Sequence, residues 1–232
     1  MNDRLYVESF AEGPGGFFGW ISNAAGPKPL EHNSGHLTSR SPWWIDYNHA
    51  PPGAGYMHMV FSLNTFGAQG EVYTEVGGIN TFISGGYPTN FIDAQVYVTL
   101  HGELTTQGAQ LLLLIQGRIA GITSGWLLSG QPIPVSKQRV THSVTLVPDQ
   151  AQWTALGSRH DRTDMYGIKP LRDVLANVDV NIMLVLFPLD VVPMGGCDGD
   201  PHVLRPERDY PVWRHRLPEG YVTLEEFGVQ FA

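Results

Sequence analysis

Apolar and polar residues alternate along much of the chain. Ala94, Val96, Val98 and Leu100 point one way in an extended chain, and Asp93, Gln95, Tyr97, Thr99, His101 and Glu103 point the other. That is the period of a half-buried strand. Similar runs are bounded by turn signals such as Gly13-Pro14-Gly15-Gly16, Pro51-Pro52-Gly53, Gly77-Gly78, Gly85-Gly86, Pro148-Asp149 and Pro218-Glu219-Gly220. Together they predict strands over residues 5–10, 56–64, 71–76, 90–103, 110–123, 138–147, 180–187 and 221–231. One helix is expected from Pro170 to Leu175, where Leu171, Val174 and Leu175 share a face behind a proline suited to a first turn. Residues 13–52 and 192–218 read as mostly loop.

Leu5-Tyr6-Val7 and Val222-Thr223-Leu224 are both strand-like. Pairing the first strand with the last removes two open edges, as jelly rolls commonly do. The alternation slips at Glu225-Glu226, which predicts a bulge. Leu111-Leu112-Leu113-Leu114-Ile115 lacks alternation and predicts a strand buried on both faces, under a second layer or at a subunit contact. The expected fold is therefore all-β: a single antiparallel β-sandwich over residues 1–232, of jelly-roll type, with one short helix and long loops.

Composition narrows this further. Of 232 residues, 42% are apolar and 11% aromatic, enough for a core and against disorder. The 27 Gly and 17 Pro argue against a helical bundle. The single Cys197 rules out a disulfide scaffold. A net charge of −8 with no Lys/Arg cluster argues against nucleic acid as a partner. Apolar runs are too short for a membrane-spanning helix. Met1-Asn2-Asp3-Arg4 has no apolar signal region, so the expected location is cytoplasmic, or secreted if a leader has been removed.

The polar strand faces suggest chemistry. Tyr56, His58, Ser62 and Asn64 oppose Met57, Met59, Phe61 and Leu63, while Gln116 and Arg118 oppose Ile115 and Ile119. Tyr, His, Gln, Asn and Arg form directional hydrogen bonds and stack on sugar rings. A solvated face would be richer in Lys, Glu, Thr and Ser. The expectation is that Tyr56, His58, Gln95, Tyr97, His101 and Arg118 converge on one groove. Two loops add candidates. Arg40-Ser41-Pro42-Trp43-Trp44-Ile45-Asp46-Tyr47-Asn48-His49 offers two adjacent Trp, of which one is expected to be exposed for stacking on a pyranose. The alternative is that both Trp cap the core. Residues 157–167 gather Arg159, His160, Asp161, Arg162 and Asp164 near Tyr166; a surface loop of salt bridges competes with that reading.

An opening strand running into Gly19-Trp20, long two-faced central strands and the closing Tyr221-Val222-Thr223-Leu224-Glu225-Glu226-Phe227 together resemble the concanavalin A-like lectin/glucanase superfamily. The resemblance covers most of the chain as architecture. It implies a sandwich that binds carbohydrate or cleaves it as a hydrolase or lyase. The Glu-x-Asp-x-x-Glu pattern of retaining β-glucanases is missing. Where alginate-lyase-type jelly rolls have Gln-x-His, this chain has Gln95-Val96-Tyr97, and no cupin His-x-His occurs. No catalytic residue is carried over.

Glycoside hydrolysis needs two carboxyls about 5 to 9.5 Å apart. Asp93 and Glu103 lie roughly 33 Å apart on an extended strand, and Glu71 and Glu75 roughly 13 Å. A hydrolase would need a cross-strand or loop pair such as Asp93 with Asp46 or Asp161. β-Elimination fits the inventory better: a base removes the proton beside a uronate carboxylate, and a donor stabilises the developing charge. The catalytic candidates are His58, Tyr97, His101 and Arg118. The substrate-binding candidates are Arg40, Trp43, Trp44, Asp46, Asn48, Tyr56, Gln95, Gln116, Arg159 and His160. The expected function is oligosaccharide binding with cleavage by a uronate lyase favoured over a hydrolase; the alternative is a non-catalytic sugar-binding or assembly module, with homo-oligomers allowed. No cofactor is expected. Asp198-Gly199-Asp200 with His202 is compatible with Ca²⁺ but reads better as a polar loop. Glu31, His32 and His36 would bind zinc only on a helix, which the surrounding Gly and Pro oppose.

Overall fold

A computed structural model describes residues 5–22, 26–46, 56–66, 74–157, 164–189 and 217–232. Two antiparallel sheets face each other. The six-stranded sheet has the order β11 (Val140–Thr145), β8 (Gln95–Thr105), β14 (Glu219–Gln230), β5 (His36–Arg40), β4 (Glu31–Asn33), with β1 (Leu5–Glu8) also on β14. The eight-stranded sheet runs β12 (Thr154–Ala155), β10 (Ile122–Leu127), β9 (Gln110–Ile119), β13 (Asn181–Leu189), β7 (Tyr56–Asn64), β2 (Phe17–Ser22), β3 (Gly26–Lys28), with β6 (Ile45–Asp46) also on β7. The fold is the expected jelly-roll type of antiparallel sandwich.

The core lies between the sheets. Val96, Val98, Leu100, Val222, Leu224, Phe227 and Val229 meet Phe61, Leu63, Leu111, Leu113, Ile115, Ile182 and Leu184. β1 pairs with β14 from Leu5 opposite Gln230 to Glu8 opposite Phe227, so the first and last predicted strands do meet. The register of β14 on β8 shifts between Leu224 and Glu226, which makes Glu225 the expected bulge. Leu111 to Ile115 are all buried: Leu111, Leu113 and Ile115 in the central core, Leu112 and Leu114 in a second apolar cluster on the far side of the sheet.

Several expected boundaries are corrected. The described residues of 13–46 are not mostly loop: they hold β2 to β6, strands too short for alternation to show; residues 23–25 and 47–52 lie outside the described residues. Thr74–Gly77 forms a helical turn, α1, where a strand over 71–76 was expected; residues 71–73 lie outside the described residues. A second turn, α2 (Thr81–Ser84), is capped by Asn80, whose Oδ1 accepts the Ile83 N–H at 2.9 Å. The expected helix is α3 (Leu171–Ala176), with Leu171, Val174 and Leu175 buried. Asp93 is not on the strand, because its φ of 59° places it in a left-handed turn before β8 begins at Gln95. The expected strand over 110–123 is a hairpin of β9 and β10 turning at Ala120 and Gly121.

Candidate functional site

The residues expected to share a groove divide between the sheets. Gln95, Tyr97 and His101 stand on the outer face of the six-stranded sheet, opposite in direction to the buried Val96, Val98 and Leu100. Tyr56, His58, Gln116 and Arg118 belong to the eight-stranded sheet. The two outer faces point away from each other, so no common groove forms.

His58 is the sharpest departure. Its predicted face assumed unbroken alternation along β7. The register of β13 on β7 instead jumps from Leu184–Phe61 to Val185–Met59, leaving Val60 as an extra residue. A bulge reverses the parity of everything beyond it. Met57 and Met59 therefore join the second apolar cluster on the far side. His58 turns inward beside Leu186 and Ile45, 1% exposed, with the Trp43 ring centroid 5.8 Å away. Tyr56 is half-buried against the same core. A sealed imidazole cannot serve as the base for an external substrate.

Trp43 and Trp44 are both buried, so neither is the exposed platform expected. Successive residues of an extended segment face opposite sides. Trp43 accordingly enters the central core, its Nε1 donating to Ser39 Oγ at 2.9 Å, while Trp44 enters the second cluster. The adjacent pair pins the strand edge from both sides. Gln116 is buried on the far side of the eight-stranded sheet, in register with Asn181, which in turn faces Asn64. The Arg118 main-chain N–H donates to Asp179 Oδ1 at 2.6 Å, and the side chain stands in the exposed end of β9. Asp46 has its backbone in β6 opposite Met57. Asn48, Arg159 and His160 lie outside the described residues, as do Asp198, Asp200 and His202.

What does assemble is a polar outer face on the six-stranded sheet. Tyr97 OH donates to Gln95 Oε1, and Gln95 Nε2 donates to Ser143 Oγ at 2.5 Å. One row further, Thr99 and Thr141 share a hydrogen bond of 2.7 Å, and in the row of His101, Thr38 and Thr223 share one of 2.9 Å. His101 Nδ1 lies 2.9 Å from Glu225 Oε1, and Arg139 Nε donates to Glu225 Oε2 at 2.5 Å. Partial burial works to raise the Glu225 carboxyl, but the hydrogen bonds from Arg139 and His101 outweigh it and hold the group below its ordinary value. Arg40 bonds Glu31 at 2.9 Å and lies over the Tyr221 ring, 4.9 Å from its centroid. Lys137 Nζ reaches Glu103 Oε2 at 3.1 Å.

Glu225 and Arg139 were missed as site residues. The signal for Glu225 was present in the broken alternation at Glu225-Glu226. A bulge re-aims a side chain, and here it sets the carboxylate between His101 and Arg139. Arg139 sits just before β11 and carries no periodic signal. Among the described residues, no group of three or more His, Cys, Asp or Glu side chains gathers to hold a metal, and no helix is long and apolar enough to cross a membrane.

No family model matches the chain, and no curated protein matches it. Among solved structures, the chain is similar to the L4b domain of human laminin alpha-2, at 8% identity over 98% of each chain with a TM-score of 0.39.

Proposed function

We propose that the outer face of the six-stranded sheet is a non-catalytic binding face for an oligosaccharide. The observation that carries this reading is the mutual hydrogen bonding of Gln95, Tyr97 and Ser143 beside His101, Glu225 and Arg139. Side chains already fixed in place lose little freedom when a ligand arrives. Gln95 to His101 spans about 20 Å along the strand, enough for a short oligosaccharide. Half-buried Tyr97 offers a ring for stacking, and the amide, imidazole and guanidinium offer directed hydrogen bonds to hydroxyls.

Binding is preferred to elimination because the four catalytic candidates do not meet. His58 is inside the core and Arg118 is on the other sheet. A base and a charge stabiliser must reach the same substrate. His101 and Arg139 do share a face, but both are held by one carboxylate on a sheet surface.

The test is titration of the full chain with a panel of neutral and uronate-containing oligosaccharides, read by calorimetry or by NMR shifts. Tyr97→Ala and His101→Ala are each expected to weaken binding about tenfold or more with an unchanged melting temperature. Absence of binding to every glycan, or affinity untouched by both substitutions, overturns the proposal. Growth of the ultraviolet absorbance of an unsaturated uronate would restore the lyase.

A further inference from the structure

Most strand edges among the described residues are short or blunted. β6 and β12 have two residues each; β3 and β4 have three. β3 carries Pro27 and Lys28, and β4 carries Glu31. β1 has four residues. β11 differs. It has six residues, Val140-Thr141-His142-Ser143-Val144-Thr145, with no Pro, Lys or acid, and β8 is its sheet neighbour on one side. Natural edges usually carry such protection, because an open row of N–H and C=O groups accepts another strand.

The direction of those groups is fixed by parity. Leu146 exchanges main-chain hydrogen bonds with the β8 side: its N–H donates to Ala94 at 2.9 Å and its C=O accepts from Asp93 at 3.0 Å. Alternate residues of an antiparallel strand address opposite neighbours. Val140, His142 and Val144 therefore face β8 with their main chain, and Thr141, Ser143 and Thr145 face the open edge. Thr145 confirms the parity. Its N–H donates to Gln131 Oε1 at 3.0 Å and its C=O accepts from Gln131 Nε2 at 2.9 Å. A side-chain amide thus stands in for a strand at one end of the edge. Thr141 and Ser143 are exposed and have no such cap among the described residues.

We infer that β11 is a self-association edge, on which a second copy of this chain pairs antiparallel about a two-fold axis at His142. In this register Thr141 lies opposite the partner's Ser143 and Ser143 opposite the partner's Thr141, so every free N–H and C=O of both residues is used. A one-residue slip would set outer-face side chains against core-side ones. A register centred on Ser143 would bring the partner's Thr141 to Thr145, where Gln131 already sits. Centring on His142 confines the paired rows to Val140–Val144 of each copy, so with β11 beginning at Val140 the Gln131 cap on Thr145 stays outside them. It also lays exposed Val140 against the partner's Val144. A self-complementary patch of this kind is what a closed two-fold dimer requires. The two six-stranded sheets then become continuous, and their polar outer faces form one surface. The inference stands independently of any ligand on that surface.

Sedimentation equilibrium of the full chain over a micromolar concentration series tests it. The wild type is expected to dimerise. Ser143→Pro removes the outward donor, and Val140→Lys places a charge in the new contact. Each is expected to raise the dimer dissociation constant about tenfold or more while the dilute chain melts as before. His142→Cys in a Cys197→Ser background reports the register without relying on Ser143→Pro folding. The facing residues of a non-hydrogen-bonded pair have Cα atoms about 4.5 Å apart, within disulfide range, so mild oxidation is expected to give a covalent dimer. A wild type that stays monomeric throughout the series, a dimer that survives both edge substitutions, or failure of the His142→Cys chain to cross-link overturns the inference.

Discussion

His58 Nδ1 donates to the main-chain carbonyl oxygen of Trp44 at 3.2 Å, and His58 Nε2 is buried without a partner among the described residues. The carbonyl can only accept, so the proton sits on Nδ1 and the lone pair of Nε2 faces the core. Burial disfavours the imidazolium and lowers the His58 pKa to about 4 from the ordinary 6.5; the Trp44 bond opposes this only in part. The unfolded chain takes up a proton below 6.5, whereas the native chain does so only near 4. Stability from this group is therefore undiminished above pH 6.5, falls as pH drops from 6.5 to 4, and levels off below. The loss approaches about 3 kcal/mol. His58→Leu is expected to flatten this part of the acid dependence. Urea unfolding midpoints of both chains at neutral pH and near pH 4.5 give the comparison.

Glu8 ties the end of β1 and the turn after it to the first residue of α2. Its Oε1 accepts the Phe10 N–H at 2.7 Å and its Oε2 accepts the Thr81 hydroxyl at 2.7 Å, in a buried position. Tyr6 OH lies 3.1 Å from the same hydroxyl oxygen, and burial pushes the Tyr6 phenol well up. Glu8→Ala leaves the Phe10 donor unpaired and is expected to cost about 3 kcal/mol. Gly15→Ala is expected to cost about 1–3 kcal/mol. A Cβ there would lie 2.3 Å from Glu8 Oε2, and the φ of +63° is left-handed. Thermal unfolding of the two variants measures both losses.

The amphipathic strands were legible in the sequence because only one of their faces meets the core. Val96, Val98 and Leu100 against Gln95, Tyr97 and His101 is such a case, and so is the closing strand with its slip at Glu225. β7 was not legible in the same way. Met57 and Met59 enter the second cluster while Val60, Phe61 and Leu63 enter the central core, because both faces of that sheet are covered. With apolar residues on each side, nothing in the pattern marks Val60 as the extra residue, and His58 was assigned to the wrong face. The Trp43-Trp44 pair failed for a related reason: a second apolar cluster behind the sheet gives the second indole a place to bury. Half of the expected site, Gln95, Tyr97 and His101, rested on a strand with one wet face and stayed together.

The Glu225 cluster predicts a small, salt-sensitive stabilisation. Glu225 is 22% exposed, but Arg139 is 61% exposed, so solvent screens the pair and the contribution is less than about 1 kcal/mol. Because the carboxyl is held below its ordinary value, this contribution is present above the ordinary carboxylate range and is lost as pH falls through the lowered value. Glu225→Gln is expected to lower stability slightly at low salt and hardly at all at molar salt. Its larger effect falls on His101, whose charged acceptor becomes a neutral amide that holds the ring less firmly. NMR shifts of the His101 ring report that change directly, and an unmoved ring would remove Glu225 from the binding face.

The β9–β10 hairpin predicts a stabilising substitution. Ile119 pairs with Ile122, leaving Ala120 and Gly121 as a two-residue turn with φ of 49° and 80°. Positive φ at both central positions is the type I′ geometry that suits the right-handed twist of paired strands. Gly121 adopts it freely, but Ala120 is strained by its Cβ. Asn tolerates the left-handed region far better, and Asn-Gly is the favoured dipeptide of this turn. Ala120→Asn is expected to stabilise the chain by about 0.5–1 kcal/mol. Gly121→Ala is expected to destabilise it by about 1 kcal/mol. Both appear as shifts of the urea midpoint with an unchanged slope, since neither alters the surface exposed on unfolding. A destabilised Ala120→Asn chain would mean that the hairpin does not turn at these two residues.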